Sequence, residues 1–162
     1  MASLFAAAIF AALSAMLLAA TSSAATTHAD LASEHTTSDL EVEVVSAINA
    51  DRVAAGLPAL TLVGDLSVVA RQHSARMADA ESLHHNPDLA DDIERWERVG
   101  ENVGRSPSVD AVHAAFLASP SHEANILDPG FTEVGIAVDE RDGTLWVTQL
   151  FREPSAPSVL PF

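Results

Sequence analysis

The chain has no cysteine among its 162 residues. That absence excludes disulfides, thiolate nucleophiles, cysteine zinc sites, iron–sulfur clusters and a lipidated amino-terminal cysteine. Lysine is missing as well. All 8 basic residues are arginine, set against 23 acids, and the formal net charge is -15. Nucleic acid and anionic membranes need basic patches, so this balance argues against both and leaves room for cations. Aromatic residues are scarce at 5%, yet hydrophobic residues reach 48%. A core is therefore available, global disorder is excluded, and the length fits one domain with or without tails. Several catalytic signatures are also lacking: no G-x-S-x-G elbow, P-loop or G-x-G-x-x-G occurs. The acidic run from Asp88 to Glu94 lacks the alternation of an EF-hand loop and reads as a solvated face.

The amino terminus reads as an address. Leu4 to Ala20 is an apolar run followed by small residues, and Ser23-Ala24-Ala25 fits the small-x-small rule of signal peptidase. Residues 1–25 are expected to be a signal peptide, although no basic residue precedes the apolar run. A membrane anchor would need about 20 apolar residues, more than this Ala-diluted run supplies. Cleavage leaves a secreted, extracellular protein with no stable membrane insertion.

Residues 26–37 are polar and aperiodic and are expected to form a flexible lead-in. Ser38-x-x-Glu41 has the form of a capping box, so a helix is predicted from Ser38 until Gly56 and Pro58 stop it. A second helix is expected from an Asp65 N-cap, with Leu66, Val69, Ala70, His73 and Met77 on one face. His84 to Trp96 reads as an irregular loop, and Val99 to Gly104 as a short strand. Ser106-Pro107-Ser108 opens a third helix, and Ser119-Pro120 ends it and primes a short fourth through Leu127. Val134, Ile136 and Val138 alternate, as do Leu145, Val147, Gln149 and Phe151, around an Arg141-Asp142-Gly143 turn, which predicts a hairpin. The class expected is α+β, with helices on a small antiparallel sheet. Residues 154–162 read as a Pro-rich tail.

His28 and His35 lie in the lead-in. His73, on an apolar helical face, reads as a hydrogen-bonded core imidazole. His113 sits one position off its apolar stripe and reads as a surface or edge residue. His85, Glu101 and His122 stand out because they lie where periodic elements break. A carboxylate inside the apolar strand at 101 needs solvent, a cation or a donor, because unpaired burial costs several kcal/mol. Two imidazoles and one carboxylate suit zinc with an open fourth position, or a general acid/base cluster. His122-Glu123 begins like H-E-x-x-H, but Ile126 holds the second histidine position, so the metalloprotease reading fails.

Several pieces occur in order: Asn49-x-x-Arg52-x-x-x-Gly56-Leu57, Ala70-x-x-His73-Ser74-x-x-Met77, His85-Asn86-Pro87 and Gly100-Glu101-Asn102-Val103-Gly104. They continue with Ser119-Pro120-Ser121-His122-x-x-Asn125-Ile126-Leu127, Phe131-Thr132-x-Val134-Gly135-Ile136 and Leu145-Trp146-Val147-Thr148-Gln149-x-Phe151. Together these resemble the CAP superfamily of cysteine-rich secretory, antigen-five and pathogenesis-related group-one proteins, in its short cysteine-free bacterial branch. The resemblance implies an α–β–α sandwich over an SCP-like domain at 38–153. It implies a central cleft with His85, Glu101 and His122 as metal ligands, zinc or a similar divalent ion being the expected cofactor. The family's second glutamate falls nearest Ser119, which would line the cleft without supplying a carboxylate. Glu123 stands where an arginine is usual in relatives of this type and adds negative charge beside the cleft.

Three functions are consistent with these residues. The expected one is a monomeric secreted binding module for a metal or small molecule, with a lipid or cell-envelope component as a further partner. A metal-assisted hydrolase is the second, and lacks a visible activated nucleophile. In the third, Glu101 and the histidines form a purely structural network.

Overall fold

The computed structural model describes residues 22–156. The chain divides into two units, Met1–Thr36 and Thr37–Phe162. Helix α1 spans Ser22–Ala54, so it starts well before Ser38. The segment 26–37, read as an aperiodic lead-in, is helical, and Ser38 is interior. The reason is local: no proline or glycine interrupts residues 22–37. Glu41, freed from any capping role, instead accepts hydrogen bonds from Arg71 Nε and Nη2. The apolar run Leu4–Ala20 lies outside the described residues. Among those described, no helix is long and apolar enough to cross a membrane.

Gly56 ends α1 with φ +78°. Its N–H bonds Val53 O while Leu57 N–H bonds Arg52 O, the paired closure that favours glycine just beyond a helix. Strand β1, Thr61–Leu62, follows, then α2, Gly64–Asp79. Asp65 is in the first turn of α2 and makes no side-chain cap, contrary to the N-cap expectation. Its carboxylate turns instead to Arg152 Nη1 at 2.7 Å. That ion pair, together with the positive end of the helix, outweighs one capping bond.

A one-turn helix α3, Leu89–Asp92, interrupts the expected loop, and strand β2 runs Trp96–Ser106. Helices α4, Val109–Leu117, and α5, Pro120–Ile126, begin as expected, with Ser108 Oγ accepting from Ala111 N–H and Pro120 in the first turn. Strands β3, Glu133–Arg141, and β4, Thr144–Pro154, form the hairpin. Asp142 and Gly143 both have positive φ at its tip, the geometry that matches strand twist. β4 continues past Phe151 because Arg152 is buried and anchored to Asp65 and Glu133. Of the tail expected at 154–162, residues 157–162 lie outside the described residues.

The sheet order is β1-β3-β4-β2. β3, β4 and β2 pair antiparallel, while β1 adds a two-residue parallel edge that was not anticipated. Val134, Ile136, Val138, Leu145, Val147 and Phe151 face one way and pack with Val44, Ile48, Val112, Phe116 and Ile126. Ala137, Leu150, Val103 and Trp146 face the other way, against Leu66, Ala70 and Met77 of α2. Helices therefore cover both faces, α2 on one and α1, α4 and α5 on the other: an α–β–α sandwich built by period-two alternation.

Candidate functional site

The segment Gly100 to Gly104 lies on β2, which is the edge strand opposite β1. Alternation sends Gly100, Asn102 and Gly104 toward α4 and α5. A Cβ on Gly104 would lie 2.7 Å from Phe116 and Val112, and one on Gly100 would lie 2.9 Å from Asn125 Oδ1. Only glycine permits that approach. Asn102 sits between them, fully buried, donating from Nδ2 to His122 O and Gln149 Oε1 and accepting from Asn125 Nδ2. The same alternation turns Glu101 to the opposite face, beneath the chain that leaves α2.

Glu101 is 7% exposed. Its Oε2 meets His85 Nδ1 at 2.6 Å, and Asn86 N–H donates to the carboxylate at 3.0 and 3.3 Å. His73 Nε2 lies 3.7 Å from Oε1. This answers the question the sequence posed: the carboxylate is held by donors from the 84–86 loop. That loop is braced in turn, Asn86 donating to Asp92 and accepting from Asp88 N–H. A carboxylate only accepts, so the facing Nδ1 of His85 donates, and Nε2 is the ring nitrogen left over. The His85 side chain is 64% exposed, so this nitrogen belongs to an accessible ring.

His73 is fully buried, as the core reading expected. Its Nε2 bonds His84 O at 2.8 Å, and its ring meets the His84 ring edge to face. Burial holds its pKa below the ordinary 6.5, outweighing the His84 carbonyl and the Glu101 charge, which act in the other direction. What sequence reasoning missed is its neighbour: His73 lies beneath the Glu101 carboxylate. The signal was the three-residue step from Ala70 to His73 toward the strand side of α2.

His122 comes from α5, where its carbonyl accepts from Asn102 Nδ2. Its ring packs edge to face on Phe116 at 5.2 Å. Burial lowers its pKa, and the charge of His85 lowers it further. His85 and Glu101 are thus in direct contact, and His122 lies within electrostatic reach of His85. Ser119 precedes α5, and its hydroxyl is 3.3 Å from that of Ser121. Among the described residues, no group of three His, Asp or Glu side chains forms a ready metal cage. His113, expected at the surface or an edge, is partly exposed and bonds Asp51 through Nε2 at 2.6 Å.

Two sequence motifs prove to be anchors of the frame. Arg52 is 1% exposed and donates to the carbonyls of Pro58, Ile126, Asp128 and Phe131. Asn49 exchanges two hydrogen bonds with the backbone of Leu60. These contacts tie the end of α1 to the segment after α5, and so fix the helix that carries His122.

Residues 45–151 match the cysteine-rich secretory protein family, CAP. The uncharacterized protein YkwD of Bacillus subtilis is 30% identical over 118 residues, 67% of this chain and 46% of that protein. An extracellular protein containing an SCP domain from Bacillus anthracis superposes with a TM-score of 0.62 at 27% identity, over 72% of this chain and 41% of that one. This chain thus spans less than half the length of either relative. An outer surface protein of Borrelia burgdorferi shares the fold, with a TM-score of 0.63 at 18% identity over 68% of this chain and 90% of that one. With helices on both faces of the sheet, the ordered motifs and this match over most of its length, the chain belongs to the CAP family of cysteine-rich secretory proteins.

Proposed function

We propose that the chain is an extracellular binding module whose recognition element is the pair of imidazoles, His85 and His122, at the open edge of β2. The observation that carries this reading is the 2.6 Å contact of Glu101 with His85 Nδ1. It orients an exposed ring, as a carboxylate behind a metal-binding histidine does. The donor chemistry fits a borderline divalent ion such as zinc, which favours imidazole nitrogen. His85 and His122 would hold it. Glu101, whose oxygens are taken by His85 and Asn86, would act behind His85 and not as a third ligand. Bound, such an ion would supply a Lewis-acidic anchor for a small ligand at the cleft. Export is supported by the apolar run at the amino terminus and by the extracellular nature of the Bacillus anthracis relative. Amino-terminal sequencing of secreted material should find a start near Thr26, and an intact Met1 would overturn cleavage.

Zinc calorimetry on untagged protein in moderate salt tests the binding reading. Affinity should vanish in the His85→Ala/His122→Ala double variant and weaken about 10–100-fold in Glu101→Gln. It should also fall as pH drops from neutral toward about 5, because protons compete for imidazole. Binding that survives in the double variant would move the ion to surface carboxylates and overturn the proposal.

One observation favours a second reading. Asn86 N–H and His73 also address Glu101, as a purely structural tie between loop and sheet would require. Loss of melting temperature in Glu101→Gln with unchanged zinc affinity would select it.

A further inference from the structure

The arginines provide the starting point. Arg71, Arg95, Arg98, Arg141 and Arg152 pair with carboxylates, Arg52 with backbone carbonyls, and Arg76 with the His73 ring. Among the described residues, Arg105 alone has no such partner: its guanidinium lies over the Trp146 ring, 5.4 Å from the centroid. In a chain with 23 acids and 8 bases, an arginine with neither an acid nor any hydrogen-bond acceptor is unexpected. It is not short of acids nearby. Arg105 lines a cavity of about 620 Å³ whose wall also carries Glu81 and Asp142, at the hairpin end of the sheet. That volume suits a small molecule.

Glu81 and Asp142 are likewise exposed and, among the described residues, in no ion pair. Glu81 has φ +49°, just past the end of α2, where glycine is the relaxed choice. A glutamate held there against backbone preference is a carboxylate retained at the cavity wall. The cavity thus presents one uncommitted guanidinium, two uncommitted carboxylates, the mutually neutralising Arg141–Asp79 pair, and the hydroxyls of Ser106 and Thr144. The acids would repel a polyanion, and the guanidinium would repel a simple amine.

We propose that this cavity binds a small zwitterion, a carboxylate on Arg105 and an ammonium between Glu81 and Asp142, as in a free amino acid or a short peptide. The site is separate from the imidazole cleft. Arg105 is four residues along β2 from Glu101, roughly 13 Å at strand rise.

Trp146 gives the readout. In a Trp96→Phe background it is the sole tryptophan, and its fluorescence is titrated with glycine, triglycine and 6-aminohexanoate, with hexanoate and hexylamine as single-charge controls. Glycine against triglycine separates the two sources. At least one zwitterion should give a saturable change, at least about tenfold tighter than both controls. Arg105→Gln should weaken it by about tenfold or more, Arg105→Lys by less, and Glu81→Gly should weaken it while leaving the melting temperature equal or higher. The His85→Ala/His122→Ala variant should bind normally. No saturable change with any zwitterion, equal binding of hexanoate or hexylamine, or indifference to Arg105→Gln in a folded variant would each overturn the proposal.

Discussion

The two faces of the sheet are made from the same strands and have opposite characters. Toward α1, α4 and α5 the strands present one continuous apolar cluster. Of its buried polar groups, Arg52 serves the backbone, and Asn102 serves the backbone and the neighbouring amides of Gln149 and Asn125. Toward α2 the apolar contacts fall into two smaller clusters. Between and beside them lie Glu101, His73, the Ser74–Thr148 hydroxyl pair at 2.8 Å, and Arg152. The contrast teaches a division of labour. One face supplies cohesion, and the other spends part of its burial on polar groups that a well-packed first face can tolerate. The candidate site lies at the edge of β2, where the two faces meet.

The sharpest way to break the cohesive face is Arg52→Ala. It leaves four backbone carbonyls without their donor, and it should cost about 3–5 kcal/mol or prevent folding, read by urea denaturation. Gly104→Ala forces a methyl group against Phe116 and Val112 on the same face, and should cost about 1–3 kcal/mol. On the polar face, Glu101→Ala leaves the buried Asn86 N–H without its acceptor, and should cost about 1–3 kcal/mol, with local loss of hydrogen-exchange protection around Asn86. If Glu101→Ala cost more than Arg52→Ala, the division of labour drawn here would be reversed.

Each face contributes one imidazole to the pH dependence near neutrality, His73 on the polar face and His122 beside Phe116 on the other. His73 and His122 have folded pKa values below 6.5 because burial disfavours their charged forms. Below pH 6.5 the unfolded chain therefore binds more protons at these sites than the folded one. Their contribution is fully present above that value and is lost as pH falls toward the folded pKa values. A melting temperature that declines from pH 7 toward about 5, with a shallower decline in His73→Gln, is the expected outcome. The smallest effect belongs to the surface. Arg71, exposed over half its side chain, pairs with Glu41, and Arg71→Ala should change stability by less than about 1 kcal/mol.

Elements whose signals are local were legible. Ser108 and Pro120 opened their helices, Gly56 closed one, and Asp142-Gly143 turned the hairpin, because each acts through backbone geometry within a few residues. Asp65 was misread for an instructive reason: its carboxylate has a better partner in Arg152, 87 residues away, than in its own helix. β1 was invisible, since two residues carry no period and its parallel partner is Glu133–Val134. The partner of His113 was invisible because Asp51 lies on a different helix.

At the site, the sequence by itself determined which side chains are chemically able: a carboxylate in a glycine-bracketed strand, and imidazoles at element breaks. It determined as well that Glu101 and Asn102 must point to opposite faces, because strand periodicity allows nothing else. Only the tertiary structure decided that Glu101 meets His85 directly while His122 packs on Phe116. That outcome depends on β2 being outermost, paired with β4 alone. Strand order is set by packing between distant segments, and distance along the chain carries no record of it.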